Sequence, residues 1–209
     1  MANTQSRTPF QPPIAASHPT LSFLPASRTK RAVIAVLAGS ALLAASAHIS
    51  IPLFFTPVPF TLQPFAVLLL ALMLDPAVAF ATLVAYLAEG AAGLPVFTPE
   101  GPLGIAHLLG PDGGFLLAYP FAAFLVSKLR RSLPSSFTFA ALSAATGSVI
   151  YFLGGAAWLA LLTHQSIRVA FDLAVWPFVA GDALKVVLAA AIATGVSRHL
   201  IRRKAQAAL

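Results

Sequence analysis

Apolar runs long enough to cross a bilayer, separated by prolines and fringed by arginine and lysine, recur along this sequence and exclude most folds available to a water-soluble chain. They cover Ala32 to Ile51, about Leu62 to Leu74, Ala77 to about Gly93, Gly114 to Leu129, about Phe139 to Thr163 and about Trp176 to Ser197. A helix crossing a hydrocarbon core of about 30 Å needs roughly 20 such residues. The second run is short, and Pro59 to Gln63 are expected to extend it into the interface. Hydrophobic residues make up 58% of the 209 residues, against 13 Lys and Arg and 6 Asp and Glu. A soluble domain carries about a quarter charged residues, so a soluble monomer is excluded. The expected fold class is all-α integral membrane, with six transmembrane helices over 28–204. Residues 1–27, rich in Pro, Ser and Thr, read as a flexible tail, and 205–209 as a short C-terminal one.

Cations set the orientation. Arg7, Arg28, Lys30 and Arg31 precede the first run, Lys128, Arg130 and Arg131 close the fourth, and Arg198, Arg202, Arg203 and Lys204 follow the last. Positive residues stay on the cytoplasmic side, and only an even number of spans puts all three clusters there. Six spans with both termini cytoplasmic satisfy this, leaving Arg168 outside and Lys185 within a span. The formal charge of +7 is therefore a topology signal and not a nucleic-acid face. Residues 94–113 then form a long outer loop between helices 3 and 4. Pro95, Pro99, Pro102 and Pro111, with Gly101, Gly104, Gly110 and Gly113, are too dense there for a regular helix.

Ionisable groups inside apolar runs are expensive and mark function by default. Asp182 and Lys185, three apart, share one face of the last helix. They either neutralise each other or hold a solute that carries both hydrogen-bond donors and an anion. Glu89, near the outer end of the third run, either joins such a site or snorkels to the interface. Gln63 sits where the chain re-enters the membrane, and Tyr86 shares a face with Glu89. His48 and His107 have no companions at metal-ligand spacing, and with no Cys in the chain no metal or cofactor is expected. Ala38, Ala41 and Ala45 form a small-residue stripe that lets another helix approach, in this bundle or in a partner. The chain has no nucleophile elbow, no His-Glu-x-x-His and no phosphate loop, so an ATP-driven process must borrow a second protein.

Three stretches carry a resemblance. The first is Tyr86-Leu-Ala-Glu89-Gly90-Ala-Ala-Gly93-Leu-Pro95-Val-Phe97, followed by Leu109-Gly-Pro-Asp112-Gly113-Gly114-Phe115-Leu116. The others are Pro59-Phe-Thr61-Leu-Gln63 and Trp176-Pro-Phe-Val-Ala-Gly181-Asp182-Ala-Leu-Lys185. Together they resemble the BioY proteins, biotin-specific capture subunits of energy-coupling factor transporters. Asp112 stands where that family's pattern has Thr, and Phe115 where it has Tyr. The resemblance implies a non-enzymatic membrane protein of the cell membrane that takes biotin from outside. It also implies partnership with a membrane coupling protein and two ATP-hydrolysing subunits. By the same resemblance Asp182, Lys185, Glu89 and Gln63 are the polar ligand contacts, and Tyr86, Gly93, Phe97 and Trp176 complete the pocket. Gly90, Pro95, Gly113 and Gly114 shape the 94–113 loop as a lid, and Ala38, Ala41 and Ala45 dock the coupling protein. The alternatives are a capture subunit for another vitamin, or an intramembrane enzyme using Glu89 or Asp182 as acid or base.

Overall fold

The computed structural model describes residues 26–206, and these are mostly helical. Helix α1 (Ala26–Ala47) leads into a hairpin of β1 (Ser50–Ile51) and β2 (Phe60–Thr61). Then follow α2 (Gln63–Met73), α3 (Pro76–Ala91), the short α4 (Ile105–Leu108), α5 (Gly113–Ser132), α6 (Phe137–Thr163), α7 (Ile167–Ala174), a 3₁₀ turn (Trp176–Phe178) and α8 (Val179–Gln206). The expected tail at 1–27 lies almost wholly outside the described residues. At the other end α8 continues past 204, where a tail was expected, to Gln206.

Three stretches are long and apolar enough to cross a membrane: Arg28–Ala47, Phe137–Thr163 and Ile167–His199, the last including α7 and the turn before α8. Helices α2 and α3 are apolar but shorter, at 11 and 16 residues. At about 1.5 Å per residue, 11 residues rise only ~16 Å, about half the hydrocarbon thickness. α2 is apolar almost all round and is accordingly packed in the centre. Ala66, Val67, Leu68 and Ala71 are fully buried, and α2 touches α1, α3, α5, α6 and α8.

Local chemistry sets most boundaries. Asp75-Pro76 ends one helix and starts the next, since the residue before proline avoids the helical region and proline suits the first helical turn. The Ser127 hydroxyl donates to the Leu74 carbonyl at 2.6 Å, satisfying a group that the end of α2 leaves open. Ser136 caps α6 and Ser166 caps α7, each accepting from the backbone N–H three residues on. α6 ends at His164, whose φ of 55° turns the chain in the left-handed region.

Two expectations about the elements need correction. The first run does not stay helical to Ile51, nor does Pro59–Gln63 lengthen α2. α1 stops at Ala47, and Ser50 pairs with Thr61 and Ile51 with Phe60 across an antiparallel hairpin. Pro52, Pro57 and Pro59 within twelve residues deny that segment the helical hydrogen bonds. The second correction is α7, in a stretch read as a connection. It buries Ala170 and Ala174 and leaves Ile167 and Val169 outward, an amphipathic turn too short to show by periodicity.

The pocket described below lies at the starts of α2, α5 and α8. The other end gathers the cations: Arg131 pairs with Asp75 at 2.6 Å, and Arg28 and Arg31 line a groove with Leu74 and Asp75. By helical rise, the basic ends of α5 and α8 lie about 20 to 30 Å from the pocket.

Candidate functional site

A pocket of about 470 Å³, counting its solvent-open part, is enclosed by Val58, Pro59 and Thr61 from the hairpin, Gln63 and Pro64 from α2, and Asp112, Phe115, Leu116 and Tyr119 at the start of α5. Tyr151 and Phe152 of α6, with Phe178, Asp182 and Lys185, close it. That mixture of apolar walls with a few converging polar groups is typical of small-molecule sites.

Asp182 and Lys185 are 4% and 7% exposed, and their hydrogen bonds go to other partners. The Tyr151 hydroxyl donates to Asp182 through a short hydrogen bond and lies 3.0 Å from Ser148 Oγ. The Lys185 ammonium donates instead to the Thr61 carbonyl at 2.6 Å and sits 4.1 Å over the Phe60 ring, which stacks on Phe178. Two buried charges held apart, each partnered by neutral dipoles, form an acceptor pole and a donor pole facing one space. Burying ions this way is costly.

Gln63 is the third expected residue in the pocket wall. Its Nε2 donates to the Tyr86 hydroxyl at 2.6 Å, and that hydroxyl donates on to the Val96 carbonyl at 2.9 Å. Tyr86 therefore stands behind Gln63 and orients it. Phe97 packs edge-on against Tyr86 and close over Gly90, also behind the wall.

Other expected residues fall elsewhere. Glu89 accepts from Ser40 of α1 and is bound into the α1–α3 contact, away from the pocket. Trp176 is 62% exposed and lies edge-on to Phe171, so it is no pocket wall: Pro177 turns the chain, and Phe178 points inward in its place. Gly93, at φ +96°, makes the turn after α3, and Pro95 is exposed.

The expected lid also needs correction. Of residues 94–113 only Asp112 reaches the pocket, whereas the hairpin supplies Val58, Pro59 and Thr61. Gly113 and Gly114 are not hinges. A Cβ on Gly114 would lie 2.2 Å from Trp158 Cβ and 2.4 Å from the Gly154 carbonyl, so Gly114 lets α5 and α6 touch; one on Gly113 would lie 1.9 Å from the Leu108 carbonyl oxygen, so Gly113 lets α5 start against α4.

The 94–113 segment is held internally through His107, which is 3% exposed. Its Nε2 lies 3.0 Å from Asp112 Oδ2 and its Nδ1 3.0 Å from the Pro102 carbonyl. Burial opposes the charged imidazole, yet the Asp112 carboxylate, the Pro102 carbonyl and Glu100 outweigh it and raise the His107 pKa above its ordinary value. Among the described residues, no group of three or more His, Asp or Glu converges to hold a metal. The wall residues missed in the sequence are chiefly Tyr119, Tyr151 and Phe152; a Tyr at 151 beside Ser148 in an apolar run was the available signal.

The profile of the BioY family matches residues 18–202. The chain belongs to the BioY family. Relatives include a probable biotin transporter BioY of Pyrococcus horikoshii, 37% identical over 153 residues that cover 73% of this chain and 88% of the relative. The biotin transporter BioY of Thermotoga maritima is 38% identical over 165 residues, 78% of this chain and 94% of the relative. Among solved structures, the S-component for biotin from an ECF-type ABC transporter has a similar fold. Its TM-score is 0.76 at 24% identity, over 84% of this chain and 95% of that one.

Proposed function

We propose that this chain is a biotin-capture subunit of the cell membrane. Six helices cross the bilayer with both termini inside, the pocket opens outward, and bound biotin passes to an ATP-driven coupling module. The observation that carries this is the pair Asp182 and Lys185, buried in one pocket and not joined to each other.

Biotin answers both poles. Its ureido ring presents two N–H donors, which a carboxylate such as Asp182 accepts with the lone pairs Tyr151 leaves free. Its valerate carboxylate suits the ammonium of Lys185, two of whose three donors are not used by the Thr61 carbonyl. The Gln63 amide adds a further ureido partner. Val58, Phe115, Leu116, Phe152 and Phe178 offer apolar contact to the thioether ring. Placing Phe178 and the hairpin in these roles replaces Trp176 and the 94–113 lid.

The orientation rests on the basic end lying opposite the pocket, as the positive-inside rule requires of an outward-facing site. The short α2 and α3 complete the count of six only as partners in a bundle whose other helices are longer. For the coupling module, the supporting feature is the Ala38, Ala41 and Ala45 stripe, which is exposed on α1 while Gly39, Ser40 and Leu43 face inward. The relatives are transporters by description, so the chain is a transport protein and not an enzyme. Biotin is its cargo and no cofactor is called for.

The test is a titration of the purified protein with biotin, with thiamine and riboflavin as competitors. Biotin should bind and the competitors should not displace it. Asp182→Asn and Lys185→Met should each weaken binding roughly tenfold or more, the cost of a charged hydrogen bond at about 1.5–3 kcal/mol. Wild-type affinity in both variants would refute the site.

A further inference from the structure

The 94–113 segment does more than connect α3 to α5. His107 is buried, and each ring nitrogen faces a group that offers lone pairs. Nδ1 faces the Pro102 carbonyl at 3.0 Å, and Nε2 faces the Asp112 carboxylate at 3.0 Å with Thr98 Oγ1 at 3.3 Å. A backbone carbonyl only accepts, and so does an ionised carboxylate. A neutral imidazole has one N–H and satisfies one of them; the imidazolium satisfies both. Asp112, 15% exposed, stands at the start of α5 and lines the ligand pocket.

A carboxylate in that wall is a liability for a pocket that takes an anionic ligand. Asp112 and a bound ligand share this one pocket, and charges there are screened less than at the surface, where the Debye length is about 8 Å at physiological salt. We propose that His107, acting through Asp112, is a positioning residue of the pocket: its imidazolium balances and holds the Asp112 carboxylate, so a carboxylate-bearing ligand is captured tightly only while His107 is protonated. This rests on the biotin reading above and adds to it a dependence on external pH.

The charged and titratable groups around His107 come from each neighbouring element. Glu100, in the same segment, is held by Ser50 of the hairpin at 2.6 and 2.8 Å. Asp112 comes from α5, and the Tyr86 hydroxyl of α3 lies beyond Phe97, whose ring is 5.0 Å from that of His107. Across the pocket are Asp182 and Lys185. The pocket acids and Lys185 carry their own pH response, so the comparison must be between variants and not within one titration. The raised His107 pKa fits the same direction: the pair is intact below that pKa and lost as pH rises through it.

The experiment is biotin calorimetry on the full chain in detergent, from about pH 5.5 to about pH 9. Wild-type Kd should be flat at low pH and then climb several-fold as His107 loses its proton, on top of any rise that comes from Lys185. His107→Asn should bind several-fold more weakly than wild type at low pH and lack the part of that climb that belongs to His107. Asp112→Thr should also lack it, whatever its affinity. The double variant H107N/D112T should bind more tightly than His107→Asn alone, because the carboxylate in need of balancing is gone. A merely structural His107 would give no such recovery. The inference is overturned if either single variant keeps the wild-type slope, or if the double variant binds no better than His107→Asn. Absence of biotin binding by the wild type at every pH overturns the capture reading itself, an outcome distinct from binding with an unaltered slope.

Discussion

Tyr151 joins α6 to the ligand pole of α8, and its hydroxyl serves only Asp182 and Ser148. Tyr151→Phe keeps the ring and removes that donor, so biotin affinity measured by calorimetry should fall roughly tenfold. Trp176→Ala should leave it within about twofold, since an exposed ring away from the pocket contributes no ligand contact. Asp182, Lys185 and Gln63 were legible in the sequence because a charge or amide inside an apolar run has few inexpensive explanations. Glu89 looked equivalent, but its partner is Ser40, on another helix, and no local pattern reveals a partner so far along the chain. Tyr151 was hidden for the opposite reason: tyrosine is common in membrane helices, and only the approach of α8 makes its hydroxyl part of a site.

At the scale of elements, contact between α5 and α6 depends on glycine. In Gly114→Val the new side chain would meet Trp158 Cβ and a backbone carbonyl, neither of which gives way. Overpacking of this kind costs about 1–3 kcal/mol, and the variant should melt at lower temperature in detergent. Gly195→Ala on α8 meets nothing within 4 Å and should be neutral or stabilising by up to about 1 kcal/mol, through helix propensity. The six longest helices were legible from their apolar runs, within about three residues for α2, α3, α5 and α6, whereas α1 begins six residues before its run and α8 ends nine after its own. The hairpin was not, because its strands are two residues each and they meet α8, through Lys185 on the Thr61 carbonyl and Phe60 against Gly181, in contacts that no short-range pattern encodes. Glycine and proline density over 94–113 marks an irregular backbone but not where it packs, so the lid implied there by resemblance has no local pattern to check it.

For the whole molecule, sidedness is directly testable because the chain has no cysteine. A cysteine placed at Phe54, fully exposed in the hairpin, should react with an impermeant maleimide on intact cells. One at Ser135, in the α5–α6 turn at the basic end, should react only after permeabilisation. The reverse result would invert the proposed orientation. Ala41→Trp, on the exposed α1 stripe, should leave biotin binding intact while abolishing ATP-driven uptake in cells that supply the coupling subunits. Loss of both would point to damage inside the bundle.

The central helix is the shortest of those packed around it, and this has an effect on the cargo. With α2 beginning at Gln63, its neighbours rise past its upper end like the wall of a well, and Gln63 and Pro64 become the bottom of the shaft. Hollowness here is a matter of arithmetic along one axis, obtained without opening gaps between side chains lower down. Each residue added to the top of α2 would raise that floor by about 1.5 Å, and two added turns would leave a plugged cylinder with nowhere for a vitamin to sit.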